Sequence, residues 1–85
     1  MIEPTDREYI FGMINQEREY QDNRWGPGFD KKNTVAHFLT YMEKHIAKAK
    51  DHLYKMEEVD ARIEVRKLAA LAVACMEYHE TKPRE

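Results

Sequence analysis

Eighty-five residues, 42% hydrophobic and 35% charged, make one domain. A chain this short buries only about 60–65% of its unfolded surface, so a second copy would help to close the core. The 14 basic and 16 acidic residues are interspersed and leave a net charge of −2, which excludes a global field for nucleic acid or for an anionic membrane. The longest unbroken apolar run, Leu68–Met76, is about half of what a bilayer requires, so neither a leader nor a spanning segment is expected. The lone Cys75 lies in that run without a partner in the chain and fits a buried thiol in a reducing cytoplasm.

In chain order the periodicity predicts three helices, at about 5–25, 34–56 and 58–79, and an all-α class. The first opens at Thr5-Asp6-Arg7-Glu8, which has the form of a capping box. The second opens at Asn33 or Thr34 and carries Val35, Leu39, Met42, Ile46, Ala49, Leu53 and Met56 at alternating spacings of four and three, a heptad seam expected to face another helix along its length. The third has the centre LAALAVACM, apolar on every side, with alanines that admit close neighbours. Two partner helices from one chain do not cover such a helix, so a three-helix protomer completing its bundle by homo-oligomerisation, as a dimer or higher, is expected. Met42, Met56, Met76 and Cys75 read as core residues.

The apolar stripe of the first helix, Ile10, Met13 and Ile14, continues at helical spacing into Glu17, Arg18, Gln21 and Trp25. Polar groups at positions due for burial must be paired, either to a partner helix or to a ligand, unless this end of the helix emerges into water. Trp25-Gly26-Pro27-Gly28-Phe29 then stops the helix and turns the chain, with both rings expected to fold back over the core and Trp25 largely buried. The second helix also carries His37, Tyr41, Lys44, His45, Lys48, His52 and Lys55 at intervals of three, four or one, a flank that is mostly cationic. Such a flank is either a solvated face or a row of phosphate contacts. Lys67 stands in an otherwise apolar helix, where it either snorkels, meets an anion, or pairs with Glu64 three residues before it.

Other chemistries are closed off. The chain has no serine to serve as a nucleophile, and Cys75 has none of the electropositive setting that makes a thiolate. A phosphate-cradling glycine loop is absent, and the histidines lack the cysteine or acid support that zinc requires, so no metal site is expected.

Glu17-Arg18 with Gln21, Trp25-Gly26, FDKKNT, and Lys67 to Ala74 resemble a group of small phage and bacterial proteins similar to the MazG-like all-α nucleoside triphosphate pyrophosphohydrolases. The resemblance covers most of residues 10–78. It implies an oligomeric helical protein of the cytoplasm, the bacterial host's if phage-encoded, and in catalytic members a Mg²⁺ site built from an EExxE on one helix and an ExxD on the next. Carried over, the three acids of the first motif fall on Tyr41, Met42 and His45, Glu64 keeps the first position of the second, and Lys67 stands at its Asp. Mg²⁺ demands hard oxygen ligands, which Met, Lys and protonated His do not supply.

The preferred expectation is therefore a non-catalytic relative, without cofactor, that binds a phosphorylated, nucleotide-like ligand or a partner protein. Its candidate binding residues are Glu17, Arg18, Gln21, Trp25, Tyr41, His45, Lys48, Glu64 and Lys67, with no catalytic residue. One alternative is an active Mg²⁺-dependent pyrophosphohydrolase using Glu17, Glu43 and Glu64. A second is a purely structural interaction module.

Overall fold

The computed structural model describes residues 3–84, the side chain of Pro27 aside, and it is helical throughout: α1 (Arg7–Trp25), α2 (Pro27–Lys32), α3 (Val35–Tyr54) and α4 (Glu58–Tyr78). The three long helices match the expected ones, and the short α2 is an addition. Gly26, at φ 79°, adopts a left-handed conformation that costs glycine little, and the chain re-enters a helix at once instead of passing through a loop.

The cap signals of α1 and α3 were legible to within a residue. The side chain of Asp6, not Thr5, caps α1 by accepting from the Tyr9 amide at 3.1 Å. Thr34 caps α3 in a true capping box, its hydroxyl accepting from the His37 amide at 3.2 Å while its own amide donates to His37 Nδ1 at 3.1 Å. The joint between α3 and α4, which has no Gly or Pro, is a Schellman turn: the Met56 amide donates to Leu53 O at 3.0 Å and the Glu57 amide to His52 O at 2.8 Å. Met56 occupies its left-handed position at φ 65°.

α4 is the central helix. It packs against α3 along most of its length and against α1 on another side, while α2 touches α1 and α4, and the backbones of α1 and α3 do not approach each other. The buried apolar residues are mostly small: Ala61, Ala70 and Ala74 of α4, together with Phe38 of α3, which is fully enclosed and meets His79 edge-on at 6.0 Å. Because the two outer helices stay apart, a groove remains between them, and the radius of gyration is 14.1 Å where a closed domain of this length has about 12 Å.

Two expectations about burial are corrected. The α3 seam does not face a helix over its length: Met42 and Ala49 are half-buried, but Val35, Leu39, Ile46 and Leu53 are exposed and Met56 is 92% exposed. The helix is rotated so that Phe38, Tyr41 and His45 turn toward α4 and the groove. Met56 and Met76 are surface residues, and Cys75 is half-buried and free. No helix among the described residues is long and apolar enough to cross a membrane.

Candidate functional site

A cleft of about 360 Å³ lies in the groove between α1 and α3, floored by Leu71 of α4 and flanked by Phe29 and Asp30 of α2. Its volume is in the range of small-ligand sites. Gln21 and Trp25 come from α1; Tyr41, Lys44, His45 and Lys48 come from α3. On α3 these four fall on one side because spacings of three, four and seven residues return a side chain to nearly the same face.

The aromatic wall is a continuous stack. Trp25 and Phe29 lie 5.4 Å apart between ring centroids at 29°, and Phe29 and Tyr41 lie 6.0 Å apart at 24°. The Gly26 turn produces this by bringing Phe29 back beside Trp25. Trp25 is 55% exposed and carries the Arg24 guanidinium 5.2 Å from its ring, so the expectation that it is buried is wrong: α2, not the core, receives it.

Behind the cleft, Arg18 is a buried hub. Nε donates to Glu77 at 2.9 Å, Nη1 to Gln21 Oε1 at 3.3 Å, and Nη2 to Asp22 and Asp30 at 3.0 and 3.4 Å. One guanidinium thus ties α1 to α2 and α4, and by occupying Gln21 Oε1 it leaves the Gln21 amide NH₂ as a donor. Burial pushes the Asp30 carboxyl above its ordinary range; Arg18 opposes this and the neighbouring Asp22 adds to it. Asn33 completes the joint by donating to Phe29 O at 3.0 Å, while its own carbonyl accepts from His79 Nε2 at 2.8 Å and its Oδ1 from Tyr41 OH at 3.4 Å.

On the α4 side of the cleft, His45 reaches Glu64, with Nδ1 2.6 Å from Oε2, and Lys67 Nζ lies 3.6 Å from Oε1. Burial raises the Glu64 pKa, but the His45 hydrogen bond and the charges of Lys67, His45 and Lys48 outweigh it and hold the carboxyl below its usual value. The only carboxylate at the five positions of the carried-over motif therefore has both oxygens engaged.

Of the nine candidate residues, Gln21, Trp25, Tyr41, His45 and Lys48 meet in the cleft. Arg18 and Glu64 stand behind it as buried supports, and Lys67 serves Glu64. Glu17 is buried elsewhere on α1, accepting from Arg66 Nε at 3.1 Å beside Met13, Gln16 and Tyr20. Phe29, Asp30, Lys44 and Leu71 also line the cleft. Lys44 was legible as a member of the cationic flank one turn before Lys48, whereas nothing in the sequence singles out Leu71.

Ligand-capable atoms of His52, Glu57 and Asp60 also converge within 4.8 Å at the α3–α4 joint. His52 Nδ1 is 3.1 Å from Glu57, and the trio sits at the start of α4, where the helix dipole disfavours a cation. The His52–Glu57 side-chain contact spans the Schellman turn. Compared with protein-family profiles, with curated proteins and with solved structures, the chain matches none.

Proposed function

We propose that this chain is a MazG-like helical protein without hydrolytic activity, which binds a phosphorylated, nucleotide-like ligand in the α1–α3 cleft and works as a homo-oligomer. The observation that carries this reading is the pairing of two surfaces across one cleft: a planar stack, Trp25–Phe29–Tyr41, and a cationic edge, Lys44 and Lys48 with His45. A flat ring system stacks on the first, and phosphate oxygens accept from the second.

The state of the motif positions supports the non-catalytic half. His45, Glu64 and Lys67 do meet across α3 and α4, as facing metal-ligand positions would, but as a His–carboxylate–Lys network. Mg²⁺ would have to displace the His45 ring and the Lys67 ammonium to reach a single carboxylate.

Trp25 fluorescence, titrated with adenosine mono-, di- and triphosphate with and without Mg²⁺, tests this. Saturable binding that is indifferent to Mg²⁺ and weakened by Lys44→Glu or Lys48→Glu is the expected outcome; a ligand at a hundred times its dissociation constant should also stabilise the fold by about 2.7 kcal/mol. Mg²⁺-dependent phosphate release abolished by Glu64→Gln would establish the enzyme instead. Absence of binding by any nucleotide would favour the interaction module, for which exposed Leu39, Leu53 and Val65 already speak.

A further inference from the structure

We infer that the outer face of α3 is a two-fold, antiparallel interface with a second copy of this chain, centred on Ile46. This deepens the self-association proposed above by naming its face and symmetry, and it rests on that reading. Val35, Leu39, Ile46 and Leu53 are 45%, 51%, 44% and 56% exposed. At 3.6 residues per turn they form one narrow line along the helix, nearly half a turn from the cleft residues Lys44 and Lys48. An apolar line of four large side chains on a helix is rarely left to water.

Area argues for a covered face. The protomer exposes 7290 Å², whereas a monomer of 10.2 kDa exposes about 5300 Å². The difference, to which the open α1–α3 groove contributes, exceeds the roughly 800 Å² that each partner gives to a standard interface.

Charge identifies the occupant. Glu43 and Lys50 lie on the same flank of the apolar line, both exposed, and among the described residues neither has an ionic partner. A two-fold axis perpendicular to the helix at Ile46 keeps each flank facing its own copy. It sets Leu39 opposite the partner's Leu53, Ile46 opposite the partner's Ile46, and Glu43 within about 1.5 Å along the axis of the partner's Lys50. The apolar and ionic registers coincide, twice over, at the same axis. A parallel two-fold pairing would instead set the Glu43–Lys50 flank against the partner's opposite flank, that of Met42 and Ala49, and leave both charges without an ionic partner.

Light scattering on the wild-type chain, on Lys50→Glu and on Glu43→Lys/Lys50→Glu separates the cases. Lys50→Glu should raise the dimer dissociation constant about tenfold or more through repulsion with the partner's Glu43, and the double variant should recover most of that loss. Independently, Ile46→Cys in a Cys75→Ala background should oxidise to a covalent dimer, since residues on a two-fold axis come within disulfide reach. A folded wild-type monomer at micromolar concentration would overturn self-association and this face together. A wild-type oligomer indifferent to Lys50→Glu, with no cross-link through position 46, would overturn this face alone.

Discussion

His45 Nδ1 lies 2.6 Å from Glu64 Oε2, joining two residues nineteen positions apart across the α3–α4 contact. Ionised Glu64 only accepts, so Nδ1 is the donor. Because the Glu64 pKa is depressed below its ordinary 4.5, the unfolded state binds more protons than the folded one between the two values. The stabilisation is therefore complete above about pH 4.5 and is lost as pH falls through the folded pKa. Glu64→Gln should lower stability at neutral pH by about 1.5–3 kcal/mol and flatten its acid dependence. Asp30, whose raised pKa acts in the opposite sense, is common to both proteins and cancels in their difference. Urea midpoints from pH 7 to pH 3 check this; parallel curves for the two proteins would refute it.

Arg18→Met should be among the most damaging substitutions. Its side chain is 6% exposed and that of Asp30 is 8%, so removing the guanidinium strands a buried carboxylate and unties α2. A loss of about 3–5 kcal/mol is expected. Arg18→Lys should recover little, because one ammonium cannot reproduce a fork aimed at Glu77, Gln21, Asp22 and Asp30. Asp22→Asn, at the exposed end of the same hub, is the control and should cost under about 1 kcal/mol. Chemical denaturation followed by circular dichroism measures all three.

Met56→Gly should stabilise the fold. Met56 holds φ 65° at the Schellman position with its side chain 92% exposed, so the substitution relieves the left-handed strain and forfeits little packing. The left-handed penalty of about 1–2 kcal/mol exceeds the chain entropy that glycine loses, leaving a net gain of up to about 1 kcal/mol. A rise of several degrees in Tm is expected, with no rise for Met56→Ala.

Trp25 should be open to a soluble quencher, and Trp25→Ala should cost about 0.5–1.5 kcal/mol, the worth of the Phe29 stack, in place of the 3–5 kcal/mol (about) typical of a buried aromatic. Protection of Trp25 on adding a nucleotide would tie the stack to the proposed ligand. Acrylamide quenching with and without nucleotide reads both.

Helical class and the start of α3 were legible in the sequence, and so was the helical stripe that carries Glu17 and Arg18, because caps and periodicity are local and act within a turn or two of chain, whereas the uncapped start of α4 was legible only to within about four residues. The same locality let Lys44 and Lys48 be seen together on one face, and it set the possible Glu64–Lys67 pair at three residues' spacing. Other features depended on which neighbour each face meets. A broad apolar arc on α3 does not say which of its edges a partner covers; only the placement of α4 turned Phe38 inward and left Leu39, Ile46 and Leu53 outside. Extending the α1 stripe to Trp25 implied burial, yet the left-handed Gly26 brought Phe29 back to meet the ring at the surface. Leu71 became a cleft floor, and His45 a partner of Glu64, because an outer helix packs on each of two sides of α4 without closing over it. That arrangement is set by long-range packing, to which no short window of residues is sensitive.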